Sequence, residues 1–227
     1  MTDAKEKVFA EGFSFKKLFL IFVIGSIFGA IYEEVLHLVK VYMASGDIVW
    51  EYRRGVIYGP FSPIYGAGAV LMVLLLAKRN FSNLKIFIYG ALLGGGFEYA
   101  ISFLQETFTH TTSWDYSNYF LNINGRTTIP YMAVWGLFSL GFVKGVYPFL
   151  SNLIEKVPVN IGNILFYIIL VFLILDMAIS WSALIRSSLR RSGIPPITPV
   201  GKIYDRVYPD NVLAKAFPNM DFKVTGK

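Results

Sequence analysis

The sequence contains no cysteine and only two histidines, His37 and His110. Disulfides, thiol catalysis and Cys-ligated metals are thereby excluded, and so is a histidine-rich metal site. Charge is scarce too. Asp, Glu, Lys and Arg make up 16% of the 227 residues, where a soluble domain carries about 25%. No G-x-x-x-x-G-K-[ST] phosphate loop occurs, so any ATP hydrolysis would need a separate subunit. The G-x-S-x-G and H-E-x-x-H patterns of hydrolases and metalloproteases are missing as well.

What is present is apolar. Hydrophobic residues make up 55% of the chain, the mean hydropathy is +0.52, and the apolar residues come in blocks too long for buried core helices. This predicts an all-α, polytopic transmembrane bundle with spans at about 18–42, 64–77, 84–108, 129–150 and 161–184. No span has the Gly/Pro-broken centre of many secondary transporters. Residues 1–17 form a mixed-charge N-terminal segment. The run that follows outlasts a signal-peptide core and lacks a small-residue cleavage site, so it reads as a retained span. Residues 185–227 form a polar tail that opens with Arg186, Arg190 and Arg191. Its Ile194-Pro195-Pro196-Ile197-Thr198-Pro199 stretch predicts an extended linker, followed by one short helix around Pro209–Phe217. The net charge of +6 could suit nucleic acid. In a membrane chain, however, basic loops set topology and touch anionic lipid, so no nucleic-acid partner is expected.

Glycines recur at GxxxG spacing as Gly25/Gly29, Gly90/Gly94 and Gly141/Gly145, which predicts close helix contacts at each pair. A short internal repeat is also visible. Ile27-Phe28-Gly29-Ala30-Ile31-Tyr32-Glu33 and Leu92-Leu93-Gly94-Gly95-Gly96-Phe97-Glu98 both read aliphatic, bulky, Gly, small, any, aromatic, Glu. Each is followed by an arginine-containing loop and a proline-led start to the next span, Pro63-Ile64-Tyr65 and Pro130-Tyr131-Met132. Units of two spans would share one orientation, with a pseudo-axis along the membrane normal.

Glu33, Glu34, Glu98 and Glu106 lie in apolar surroundings. An ionised side chain at mid-bilayer costs at least ~2.5 kcal/mol, so these residues are expected to face the interior, a wet cavity or a partner. Glu98, Gln105 and Glu106 share one sector of their helix, and Glu33 and His37 are an i, i+4 pair. The loops that emerge beside them carry Arg53, Arg54 and Arg126, whose planar forks suit carboxylates. Two readings fit: ion pairs and aromatic anchors that close the bundle, or a ligand site built from the same groups. Asp176 stands by itself in the last span, so losing its charge is expected to cost less than losing Glu98 or Arg126.

Several motifs carry a resemblance. They are Glu33-Glu34, Arg54-Gly55-x-x-Tyr58-Gly59-Pro60, Pro63-Ile64-Tyr65-Gly66-x-Gly68, Glu98, Glu106, Trp114-Asp115-Tyr116-Ser117 and Asn122-x-Asn124-Gly125-Arg126. Over about residues 15–150 the chain resembles the CmpB-type family, bacterial membrane proteins catalogued as ABC-transporter permeases. The resemblance implies a multi-pass protein of the bacterial inner membrane, with a separate ATPase subunit as partner and no cofactor. The expected site combines Glu33, Glu34, Glu98 and Glu106 with Arg54 and Arg126, and with Trp114, Asp115, Tyr116 and Asn124, Asp115 orienting Arg126 or a ligand. Lipids are the other expected partner, and a second copy of the chain is compatible with the sequence. A membrane-embedded enzyme using these carboxylates on a lipid-linked substrate is the alternative.

Orientation is balanced. Lys5, Lys7, Lys16, Lys17, Lys78, Arg79, Lys85 and Lys156 fall on one side, and Lys40, Arg53, Arg54, Arg126, Arg186, Arg190, Arg191 and Lys202 on the other. Discounting Arg53, Arg54 and Arg126 as partners of buried carboxylates places the N-terminus in the cytoplasm.

Overall fold

A computed structural model describes residues 8–222, and helices dominate it. Ser14 caps the first helix, α1 (Phe15–Ser45), through the amide of Lys17, and Gly46 ends it in the left-handed region at φ 78°. After a loop comes α2 (Pro63–Ala77), opened by Pro63. Ser82 caps α3 (Asn83–Thr109), which stops at His110 with φ 51°. Thr128 caps α4 (Ile129–Glu155), with Pro130 in its first turn. The longest helix is α5 (Val159–Arg191). Two short helices follow, α6 (Pro199–Val207) and α7 (Asp210–Ala216).

Among the described residues, four helices are long and apolar enough to cross a membrane: α1, α3, α4 and α5, with 31, 27, 27 and 33 residues. At 1.5 Å per residue each exceeds the ~30 Å hydrocarbon layer. The expected second span is different. Its ten α-helical residues run into five π-helical ones, Val73–Ala77, which together reach only ~22 Å.

The two hairpins pack alike, in a register that differs from the one the prolines suggested. Gly25 lies against Gly66 and Ala69, and Tyr65 fills the space over Gly29. In the second hairpin Gly90 lies against Gly136 and Ser139, and Trp135 fills the space over Gly94. Tyr65 therefore answers to Trp135, three residues beyond the Met132 that the prolines suggested. The π-helical segments agree with this register, since α4 carries one at Phe142–Val146. The two segments touch, as do the Tyr65 and Trp135 rings, whose centroids are 6.5 Å apart. Equivalent positions thus meet across a pseudo-axis between α2 and α4. The third glycine pair breaks expectation: Gly141 and Gly145 face open space, with none of the described residues within 4 Å of a Cβ added there.

The tail is more structured than predicted. Helix α6 was not anticipated, and α5 continues past Leu184 to Arg191. Leu213, Ala216 and Phe217 of the tail bury themselves against Ala183 and Leu184 of α5 and Ile57 of the loop between α1 and α2. Two small ladders complete the fold. Strands β2 (Asn122–Ile123) and β3 (Thr127–Thr128) pair as a hairpin, and β1 (Thr111–Thr112) pairs with β4 (Asp221–Phe222).

Candidate functional site

Glu33 and Glu98 hold equivalent places in the two hairpins, and their carboxylates lie within electrostatic reach of each other. Each meets the aromatic residue that packs over its own repeat's glycine. The Tyr65 hydroxyl donates a short hydrogen bond to Glu33 Oε1. The Trp135 side chain is within hydrogen-bonding range of Glu98. Loop 3–4, between α3 and α4, then adds donors to one carboxylate only. Tyr116 Oη donates to Glu98 Oε1 at 3.0 Å and Thr127 Oγ1 to Oε2 at 2.8 Å. Glu98 is buried as a result, while Glu33 stays half-buried. Aromatic rings surround the pair. Tyr32 contacts Tyr65, and Tyr116 contacts both Tyr119 and Tyr131. Burial and the neighbouring Glu98 push the Tyr116 hydroxyl well above its ordinary pKa, so it stays a donor at any physiological pH.

The arginines sort differently from the sequence expectation. Arg126 Nη2 pairs with Glu106 Oε2 at 2.5 Å, its guanidinium lying over the Tyr99 and Phe103 rings. The Arg53 side chain, not that of Arg54, makes the ion pair in the first loop, and its partner is the loop residue Glu51 rather than a span glutamate. Arg53 bonds Glu51 at 2.8 Å and His37 Nδ1 at 2.8 Å, and its backbone amide donates to the buried Glu34 at 3.4 Å. Arg54 lies over the Tyr52 ring and within electrostatic range of Asp176. Its Nε has no hydrogen-bond partner among the described residues. Nothing in the spacing of Arg53-Arg54 distinguishes these roles, because a loop without regular structure does not fix which way each side chain turns.

Loop 3–4 is built by its own polar residues. Asp115 Oδ1 accepts from the Ser117 amide at 2.8 Å and its hydroxyl at 2.5 Å, forming an Asx turn. The Trp114 indole donates to the Arg126 carbonyl at 2.9 Å, and Asn124 Nδ2 donates to Tyr99 Oη at 2.9 Å. Asn124 and Gly125 both have positive φ, which suits the central positions of the turn closed by the Arg126 amide on the Ile123 carbonyl, within the three-residue link between β2 and β3. These contacts present Tyr116 and Thr127 to Glu98.

Asp176 does not stand alone. Although only 2% exposed, its Oδ1 accepts from the Tyr58 amide at 3.2 Å and from Ser180 Oγ at 3.1 Å. Ser180 in turn accepts from the Ile57 amide at 2.8 Å. Helix α5 thus holds the backbone of the first loop. The dipeptide Ile57-Tyr58 carries no sequence signal for that contact. Among the described residues, no three His, Asp or Glu side chains converge as a metal would need. Two surface clefts open elsewhere, one beside Phe15 and Phe166 and one beside Leu75 and Tyr89, and neither reaches Glu33 or Glu98.

Long apolar helices and two packed hairpins in tandem define a polytopic helical membrane protein. The chain belongs to the family described as "Putative ABC-transporter type IV", whose model matches residues 20–181. That stretch takes in both hairpins and most of α5. No curated protein and no solved structure matches the chain.

Proposed function

We propose that the chain is the permease-like transmembrane subunit of an ABC-type transport system of the bacterial inner membrane, with ATP hydrolysis supplied by a separate ATPase subunit. Its polar site is the Glu33–Glu98 pair between α1 and α3. The proposed site also takes in Glu34, Glu106, Arg54 and Arg126, with Trp114, Asp115, Tyr116 and Asn124 in loop 3–4. The observation that carries this reading is the chemistry around the pair. Both carboxylates are met by hydroxyl and indole donors, and among the described residues neither has an ion-pair partner. Two such groups at membrane depth call for a compensating positive charge. The surrounding ring faces favour a cation with an organic surface. The solute class is therefore a small organic cation such as an amine. The N-terminus is cytoplasmic in this reading. Supporting that, Arg53, Arg126, Arg186, Arg190 and Arg191 on the opposite side are all engaged by carboxylates.

The test is a thermal-shift titration of the purified chain in lipid nanodiscs with choline, spermidine and a neutral isostere of choline. Stabilisation by the cations alone, lost in the Glu33→Gln/Glu98→Gln double variant, is the expected result. Equal responses of the wild type to cation and isostere would overturn the assignment and leave the carboxylates as internal braces.

A further inference from the structure

Helix α6 has an unpartnered apolar row. Val200, Ile203 and Val207 are 59%, 58% and 48% exposed, and Ile197 just before them is 87% exposed. The helix is nevertheless firmly placed. Tyr204 packs on the cluster formed by Ile179, Ala183 and Leu184 of α5 with Leu213 and Phe217 of the tail. Asp205 is gripped by Arg186, at 2.9 and 2.8 Å, and by Arg190 at 2.6 Å.

Those two attachments fix how the helix is rolled. At about 100° per residue the side facing away from the protein divides into two rows. Lys202 and Arg206 form the row next to Asp205. Val200, Ile203 and Val207 form the row next to Tyr204. Along α5 the residues under Tyr204 precede those that hold Asp205. They therefore lie nearer the apolar middle of that membrane-crossing helix, whereas Arg186 and Arg190 lie near its outer end. The apolar row consequently faces the bilayer and the basic row faces away from it.

We infer that α6 lies in the membrane interface and is covered by lipid. Its Val200–Ile203–Val207 row enters the acyl boundary, and Lys202 and Arg206 reach the phosphates of anionic headgroups. Amphipathic helices with basic residues on the polar side bind lipid surfaces in this way. The two arginine–aspartate attachments hold the helix level with the end of α5, so docking needs no separate ordering of the tail. This inference concerns the tail alone and is independent of the solute assigned to Glu33 and Glu98.

The absence of cysteine makes the experiment direct. Single-cysteine variants Ile203→Cys and Lys202→Cys of the full chain carry a nitroxide in vesicles of phosphatidylethanolamine and phosphatidylglycerol. Collision rates are then measured with oxygen, which concentrates in acyl chains, and with a water-soluble nickel chelate. The expected result is an inversion of the oxygen-to-nickel ratio, above one at residue 203 and below one at residue 202. Nickel-dominated collisions at both positions would put the helix in water and overturn the inference. Exclusion of both reagents from residue 203 would overturn it equally, because a protein surface would then cover the row.

Discussion

Losing the Asp176 charge was expected to cost less than losing Glu98 or Arg126, and the hydrogen bonds that Asp176 makes narrow that gap. It holds the Tyr58 amide directly and the Ile57 amide through Ser180. Asp176→Ala would leave the part-buried Tyr58 amide and the buried Ser180 hydroxyl without their acceptor, at a cost of ~1–3 kcal/mol, visible as a lower melting temperature in detergent. Arg126→Ala removes a half-buried ion pair with Glu106, whose side chains are 19% and 30% exposed. Such a pair is screened by solvent and contributes about 1 kcal/mol or less, with two ring contacts adding a further ~0.5–1 kcal/mol each. The two variants should therefore lose similar stability, and a tolerated Asp176→Ala beside a crippled Arg126→Ala would contradict the contacts described. The acid–base composition of the spans was legible in the sequence. Which acid holds which loop was not, since the donors to Asp176 are backbone amides that every residue carries.

Helix pairing follows the same division. The spacing of Gly25/Gly29 and Gly90/Gly94 announced two close contacts, and both exist because α2 and α4 present Gly66 and Gly136 to them. Gly141/Gly145 has the same spacing and no partner, because GxxxG specifies a smooth face and says nothing of what lies opposite. Gly29→Leu should accordingly displace Tyr65 and destabilise the first hairpin by ~1–3 kcal/mol. Gly145→Ala should leave the melting temperature unchanged or raise it, since alanine favours a helix by about 0.8–1.0 kcal/mol over glycine. Thermal denaturation of the two variants side by side checks both. The tail helices were half legible: Pro209–Phe217 was anticipated, but Pro199–Val207 hid behind its prolines and a glycine. Their attachment should depend on pH. Arg186 holds the Asp205 carboxyl below its ordinary pKa, and Arg190 helps. Asp210 is pushed up by partial burial, but Arg190 and Ser187 bring it below the usual value. A carboxyl held low in the folded state adds stability above its unfolded pKa of ~3.9, and that contribution disappears as pH falls through the lowered value. Limited proteolysis of the tail should be flat from about pH 7 to 5 and accelerate below about pH 4.

For the molecule as a whole, hydropathy alone gave the class and four of the five apolar helices at nearly their full lengths. It could not give the side of the membrane. Cysteines introduced at the exposed Asp47, after α1, and the exposed Asn80, after α2, report that directly. An impermeant thiol reagent applied to intact cells should label Asp47→Cys, and should reach Asn80→Cys only after lysis. The reverse pattern would place the loop after α1 in the cytoplasm, on the side where an ATPase works, and the loop after α2 outside. The tandem hairpins also change how the molecule is divided. Four helices related in pairs form its core, with α5 packed against α1 and α3 and, together with the tail, against the loop between α1 and α2.

Helix α2 has only fifteen residues, ten α-helical and five π-helical, and Tyr65 in its first turn touches Glu33. Beside it, the non-helical segment around the buried Val56 and Ile57 is folded into the protein. Under the proposed function, the short helix that covers the carboxylate pair thus reaches only ~22 Å at 1.5 Å per residue, against ~30 Å for a bilayer's hydrocarbon layer. An electrical potential across the membrane falls over the thinnest insulating layer, so most of it would be spent between this pair and the lysine-bearing side. Each elementary charge crossing that layer gains or loses up to ~2.3 kcal/mol per 100 mV. If the pair carries a cation as proposed, movement of that cation through the site is expected to be voltage-dependent.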